Sequence, residues 1–247
     1  MRRAILLLAL GCLFAAASAH AQPFGVALRW NHCFGEGSGV ASKNFACDTN
    51  SGFEELIGSF AIGENMVNVS GNEIVVDVST AYPFQTGGPP LPDWWKFKNP
   101  GTCRPTSLVS VFVADPANAV CLDWGAGQQV GGLGAYNIDF RGPGTARILM
   151  AIAVPPTALQ ELHPGSEYYS FTLRIRHDKT VGTGACGGCT TPLYLVFNRI
   201  NVVTDTLANN RLYAGPLNGT DSNFASWNLS PVPTRSATWG VLKSLYR

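Results

Sequence analysis

The alternation of hydrophobic and polar positions predicts β-strands along nearly all of the chain after its first 21 residues. Short β-branched runs bounded by Gly, Pro, Asn or Thr are typical of strands, and residues 74–78 and 108–113 are two of them. The almost entirely apolar run 145–154 predicts a central strand that is covered on both faces. Residues 167–177 alternate cleanly, which predicts a strand with one exposed face. The run 193–203 is predicted to pair with it.

The spacing of these runs, roughly ten to twenty residues with few helical patterns between them, predicts an all-β fold. We expect a two-sheet antiparallel β-sandwich over residues 22–230 as a single domain. Residues 155–162 begin with two prolines and predict a short crossover helix. Residues 231–247 are predicted to form a Pro-containing linker and a short helix, which either docks on the sandwich or acts as a sorting signal.

The first 21 residues have the three parts of a secretory signal peptide in the right order. Arg2 and Arg3 form a positive start, residues 4–17 are apolar, and residues 19–21 (Ala-His-Ala) form a small-x-small cleavage site. Cys12 leaves a lipoprotein signal open, and the arginine pair leaves a twin-arginine signal open, although the flanking residues of both motifs are absent. We therefore expect cleavage after Ala21 and a secreted, periplasmic or cell-surface protein.

Charge and hydropathy exclude two classes of partner. Removal of Arg2 and Arg3 leaves 15 basic against 16 acidic residues, and no basic stripe appears. This argues against nucleic acid or an anionic membrane surface as the partner. No later apolar stretch approaches the roughly 20 residues that cross a bilayer. Only 13% of residues are charged, whereas 27 are Gly and 16 are Pro, which is typical of a β protein with long loops stabilised by cross-links.

Six cysteines follow the predicted signal, and an even number in an exported chain predicts disulfides in an oxidising compartment. Fifteen pairings are open. We expect the three near-neighbour pairs Cys33–Cys47, Cys103–Cys121 and Cys186–Cys189. The last pair is a CxxC motif, which leaves a redox pair or half of a zinc site as alternatives. Its place in a Gly-rich turn between strands favours a structural disulfide, and no metal or cofactor is expected.

No sequence motif identifies a catalytic site. The chain has no G-x-S-x-G elbow, no H-E-x-x-H and no phosphate-binding glycine loop. Paired carboxylates for glycoside hydrolysis stay open, because several acidic residues lie on predicted strands or loops: Glu54, Glu55, Asp77, Asp93, Asp123, Asp139 and Glu167.

An aromatic cluster is the best candidate for a ligand-binding surface. Trp94 and Trp95 are adjacent in a Pro-rich segment, and neighbours on an extended segment point to opposite faces. One ring would then lie near solvent, where aromatic rings on β-sandwiches stack on sugars, and Trp124 or Tyr136 could extend such a platform. The alternative is a loop that folds over and buries both tryptophans.

Three segments resemble a family of uncharacterised secreted proteins from environmental bacteria: residues 182–189 (GTGACGGC), 91–95 (LPDWW) and 238–247 (TWGVLKSLYR). The resemblance implies an exported bacterial protein, brings no activity, and implies that the three Asn-x-Ser/Thr sequons are not glycosylated. The strand pattern is also similar to cohesin-like and carbohydrate-binding sandwiches, with immunoglobulin-like and jelly-roll topologies as variants.

Three functional hypotheses follow. The leading one is an exported, non-catalytic β-sandwich that binds a glycan or an envelope protein, or has a structural role in the envelope. The second is an extracellular hydrolase that uses loop carboxylates, and the third is a periplasmic thiol-disulfide protein.

Overall fold

The predicted all-β class is confirmed. A computed structural model describes residues 23–81, 88–116, 121–219 and 221–229, and in these ranges the regular elements are strands and three-residue 3-10 turns. The predicted signal peptide and the C-terminal tail 231–247 lie outside the described residues. Among the residues described, no helix is both long and apolar enough to cross a membrane.

Thirteen strands are present in the described residues. In chain order they are β1 (Gly25–Trp30), β2 (Ser42–Lys43), β3 (Phe53–Ala61), β4 (Met66–Ser79), β5 (Leu108–Val111), β6 (Leu122–Asp123), β7 (Val130–Ile138), β8 (Thr145–Ala153), β9 (Gln160–Leu162), β10 (Tyr168–Arg176), β11 (Leu193–Thr204), β12 (Arg211–Ala214) and β13 (Phe224–Trp227).

The strands form two packed sheets. The smaller sheet has the order β1-β3-β10-β5, with β6 beside β10. The larger sheet has the order β2-β13-β11-β4-β8-β7, with β12 beside β11 and β9 beside β4. Two short pairings, β6 with β10 and β2 with β13, are parallel, and the other named pairings are antiparallel.

The core lies between the two sheets. Alternate side chains of each strand point inward because the side-chain period of a strand is two. Phe171 of the smaller sheet meets Phe197 of the larger sheet edge to face, with ring centroids 5.2 Å apart. Gly58 lies under the Phe171 ring, where a Cβ atom would collide with it. A glycine at this position therefore lets the aromatic ring pack flat on the smaller sheet.

Three details of the predicted strands were wrong. β8 lies inside its sheet, but its outward side chains Ala151 and Ala153 are exposed. β10, predicted to be half exposed, is buried on both faces along most of its length. The loop that carries Cys33 packs on its outer face at Tyr169. β11 does not pair with β10, because residues 177–192 carry the chain to the other sheet, where β11 pairs with β4.

The predicted crossover helix is replaced by a shorter element. Pro156–Ala158 form a single 3-10 turn, and β9 follows it at once and pairs with β4. Two prolines supply fixed φ angles for the turn, but the next residues complete a β-ladder instead of a second helical turn.

Two buried tyrosines predict a loss of stability at alkaline pH. Burial raises the pKa of Tyr136 and of Tyr169 above the ordinary value. The folded state therefore keeps these protons at pH values where the unfolded chain releases them. Their stabilisation is complete below about pH 10 and falls by about 1.4 kcal/mol per pH unit for each tyrosine above it.

The measurement is urea unfolding between about pH 9 and 11 for the wild type and for Tyr136→Phe. The variant is expected to lose stability less steeply with rising pH. Burial lowers the pKa of Arg104 to about 10, which acts in the opposite direction but equally in both proteins, so the difference between them isolates Tyr136. If the stability of both proteins fell equally steeply with pH, Tyr136 would not be a source of the alkaline loss of stability.

Candidate binding groove

The predicted aromatic platform does not exist as an exposed surface. Trp94, Trp95, Trp124 and Tyr136 have relative exposures of 0%, 1%, 2% and 2%. The structure instead has the alternative arrangement, in which a loop folds over and buries both tryptophans. None of these four rings is available to stack on a ligand.

Local backbone geometry explains why both tryptophans are buried. Asp93–Trp95 form a 3-10 turn, so the two rings do not point to opposite sides as they would on an extended segment. The Trp94 indole donates to Thr180 Oγ1 at 2.9 Å, and its ring lies 5.4 Å from the ring of Trp227. Tyr136 donates its hydroxyl to the carbonyl oxygen of Trp95 at 2.5 Å. The cluster is part of the core.

The predicted disulfide pairing was also wrong. The bonds are Cys33–Cys121, Cys47–Cys189 and Cys103–Cys186, with sequence separations of 88, 142 and 83 residues. Near neighbours in the chain are carried to different places by the strands between them, and each cysteine meets a partner from a distant segment. Cys186 and Cys189 are buried and bonded to different cysteines, so the CxxC motif is not a redox pair. Three disulfides indicate a non-reducing, extracellular-type environment.

The acidic residues considered for catalysis are dispersed, and most have structural partners. Four of them contact basic side chains: Glu54 contacts Lys43 and His177, Glu55 accepts from Arg174, Asp77 pairs with Arg147, and Asp93 pairs with Lys96. Two accept from backbone N–H groups: Asp123 from its own loop, and Glu167 from Phe34 and Gly35. Asp139 lies in the turn between β7 and β8. The structure does not bring them together in one cleft.

A concave site lies on the outer face of the larger sheet. It is a groove of about 520 Å³ that crosses five neighbouring strands, β12, β11, β4, β8 and β7. This volume is within the range of ordinary ligand pockets. Its lining residues are Glu73, Ile74, Val75, Gly134, Leu149, Met150, Ala151, Arg199, Asn201 and Leu212.

The floor of the groove is apolar and its polar side chains are few. Val75 and Leu149 lie directly opposite each other on β4 and β8. Leu212, 59% exposed, projects from β12 at the rim. Gly134 is an extra residue where β7 bulges against β8, and the missing side chain leaves this end open. Such a surface offers apolar contact without a cost for buried polar groups.

Three side chains supply directional hydrogen bonding in the groove. Asn201 donates to a carboxylate oxygen of Glu73 at 3.0 Å, across neighbouring strands. The Arg199 side chain is exposed and has no hydrogen bond or ion pair with the rest of the described chain. A guanidinium, a carboxylate and an amide therefore share one groove, and no described residue uses the donors of the guanidinium.

A charged ladder stiffens the sheet beside the groove. Arg147 donates to both oxygens of Asp77, at 2.7 and 2.8 Å, and Asn198 donates to the same carboxylate at 2.7 Å. This hydrogen bonding to Asp77 raises the pKa of Arg147. The network ties β8, β4 and β11 together two residues from the groove, so the groove is preformed on rigid strands.

Sequence reasoning missed this groove. A signal was present, since the charged residues Glu73 and Asp77 alternate with the core residues Ile74 and Val76 of β4 and mark its outward face. The order of the strands was needed to place that face beside Arg199 and Asn201, and the sequence alone does not contain it.

No protein-family model, curated protein or solved structure matches the chain. The resemblance to secreted environmental bacterial proteins stays a prediction.

Proposed function

We propose that this protein is an exported, non-catalytic binding module and that the groove on its larger sheet binds a glycan. The observation that carries the proposal is the exposed Arg199 side chain, which no described residue pairs with, beside the hydrogen-bonded Glu73 and Asn201 over an apolar floor. The disulfides support a place outside the cytoplasm, where glycans of the cell envelope or the surroundings are accessible.

The composition of the groove fits a sugar ring better than a hydrophobic ligand. A pyranose presents neighbouring hydroxyl groups on its edges and a patch of C–H groups on its face. The planar side chains of Arg199, Glu73 and Asn201 can donate to or accept from two such hydroxyls each. Val75 and Leu149 are placed to contact the C–H patch. The two charges in the groove are opposite, which favours a neutral glycan.

The distribution of carboxylates supports binding instead of hydrolysis. Among the described lining residues, Glu73 alone carries a carboxylate. Asp77 lies four residues away on the same strand, about 13 Å at 3.3 Å per residue, and both its oxygens accept from Arg147. Glycoside hydrolysis needs two carboxyl groups roughly 5 to 10 Å apart, and this pair is farther apart than that.

The test is a glycan array followed by calorimetric titration of the best glycan with the mature protein. Arg199→Ala and Asn201→Ala are each expected to weaken binding at least about tenfold, the equivalent of about 1.4 kcal/mol, because each removes hydrogen bonds to hydroxyl groups. Both side chains are at the surface, so the melting temperature should stay within a few degrees of the wild type.

Arg176→Ala is the matched control, since Arg176 is an exposed arginine on the smaller sheet. It should bind the glycan as the wild type does. An equal loss of binding in Arg176→Ala and Arg199→Ala would point to bulk charge and contradict the groove. Binding that survives both groove variants would do the same.

A further inference from the structure

A lysine, an asparagine and a glutamate meet at one end of the sandwich. Lys43 Nζ lies 2.5 Å from Glu54 Oε2 and donates to Asn31 Oδ1 at 3.3 Å. Asn31 directly follows β1, Lys43 is the last residue of β2 and Glu54 lies in β3. The three side chains therefore come from separate segments of the fold.

We propose that Lys43 and Asn31 form an intramolecular isopeptide bond, with Glu54 as the catalytic proton carrier. The reaction needs only these three groups. A lysine amine is a nucleophile once it is deprotonated, and an asparagine side chain is a carboxamide that it can attack. A carboxylate in contact with the amine is placed to take its proton.

The step balances without an oxidant or a cofactor. Glu54 takes a proton from the Lys43 ammonium, and the neutral amine attacks the Asn31 Cγ carbon and forms the new C–N bond. The tetrahedral intermediate collapses when Glu54 returns its proton to the amide nitrogen of Asn31 and the old C–N bond breaks. The lysine nitrogen still carries two protons at this point. One stays on the new secondary amide, and the departing ammonia takes the other and becomes ammonium. One lysine ammonium and one carboxamide become one secondary amide and one ammonium ion.

The fold holds the reacting groups in place. The Asn31 backbone N–H donates to the carbonyl oxygen of Glu55 at 2.9 Å, and its φ of 72° lies in the left-handed region. The Lys43 carbonyl accepts from the backbone N–H of Asn228 at 2.8 Å, beside the pairing of β2 with β13. Fixing both backbones raises the effective concentration of amine and amide, which is how intramolecular reactions gain rate.

The surroundings exclude much of the water. The Lys43 and Glu54 side chains are 23% and 13% exposed. The other oxygen of Glu54 lies 3.3 Å from His177 Nε2, and His177 stacks on Phe45 with ring centroids 3.9 Å apart. His177 Nδ1 contacts the Ser51 carbonyl oxygen at 2.6 Å. The Glu54 carboxylate therefore lies between Lys43 and a buried imidazole instead of facing open solvent.

The cross-link would have a consequence distinct from that of the disulfides. It would close the loop between β1 and β2, which contains Cys33, by a bond that reductants do not break. A secreted protein would keep the ends of β1 and β2, which belong to different sheets, joined in a reducing or proteolytic environment.

The test is mass spectrometry of the purified, folded, then reduced and denatured protein. The wild type is expected to be lighter than its sequence by one ammonia, with a branched peptide that joins the Asn31 and Lys43 fragments. Lys43→Arg keeps the positive charge beside Glu54 and should restore the full mass and linear peptides. Glu54→Gln should do so as well while its circular dichroism stays that of a folded protein. Lys96→Arg, at a half-buried lysine paired with Asp93, is the matched control and should keep the branched peptide.

Two other reactions also release ammonia, so the position of the loss decides the result. An N-terminal glutamine, as predicted at Gln22, can cyclise, and Asn218–Gly219 can form an imide. Fragmentation of the peptides separates these sites from Lys43. Linear Asn31 and Lys43 peptides in the folded wild type, or a branched peptide that persists in Glu54→Gln, would overturn the proposal.

Discussion

Serine at both Cys47 and Cys189 is expected to lower the free energy of unfolding by about 2–5 kcal/mol. The bond joins residues 142 positions apart, the largest loop that any of the three disulfides closes. In the chain-entropy picture a longer closed loop restrains the unfolded chain more, so this bond should contribute most. Urea unfolding followed by circular dichroism measures the change, with the m-value as a check on the unfolded state.

The folded structure around Cys189 should survive the change. The carbonyl oxygen of Cys189 accepts from the indole of Trp227 at 2.8 Å and from the amide of Asn228 at 3.1 Å. These hydrogen bonds position the turn without the sulfur atoms. The double variant should therefore still fold, but it should melt at a lower temperature than the wild type.

The matched control is the double serine variant of Cys103 and Cys186, whose loop has 83 residues. Its loss should be smaller by only a few tenths of a kcal/mol in the same picture. Peptide mapping of the unreduced wild type gives an independent check. A Cys186–Cys189 peptide there, or an unchanged unfolding midpoint in the Cys47 and Cys189 double variant, would contradict the connectivity.

The strands could be predicted from the sequence because their signal is local. Runs such as 193–203 are β-branched, aromatic and bounded by turn residues, and β11 covers Leu193–Thr204. Burial of one face per strand then requires a second layer, so a two-sheet fold follows from the same pattern. The class of fold needed no knowledge of which strands are neighbours.

Strand neighbours and disulfide partners could not be predicted, because they depend on contacts between distant segments. β10 and β11 are consecutive along the chain yet lie in different sheets. Cys186 and Cys189 are three residues apart yet bond to Cys103 and Cys47. The groove has the same origin, since its residues come from five strands whose order the sequence does not state. Local sequence patterns determine the secondary structure of each segment, but they do not determine which distant segments it contacts.

Trp94→Ala is expected to lower the free energy of unfolding by about 3–5 kcal/mol, because truncation of a buried aromatic leaves a large cavity. The side chain is fully buried. Its ring lies 5.4 Å from those of Trp95 and Trp227, and its indole donates to Thr180. Thermal melting and urea unfolding measure the loss.

Arg104 makes this site more sensitive than its volume alone predicts. Its guanidinium carbon lies 3.6 Å from the centre of the Trp94 ring, and Arg104 is 1% exposed. It donates to the carbonyl oxygen of Trp94 at 2.7 Å and to that of Arg176. Burial lowers the pKa of Arg104 to about 10, so the group stays charged at neutral pH. Without the indole, a buried cation loses the aromatic face that compensates for its lost hydration.

Trp94→Phe separates the two contributions. It keeps an aromatic ring against Arg104 and removes the hydrogen bond to Thr180, so it should cost clearly less than Trp94→Ala. The proposed glycan site lies on the outer face of the larger sheet, whereas Trp94 lies in the core. Folded Trp94→Phe should therefore bind the glycan with the wild-type Kd. If Trp94→Phe has wild-type stability but no longer binds the glycan, Trp94 belongs to the ligand site. That result would contradict the proposal that the groove is the glycan site.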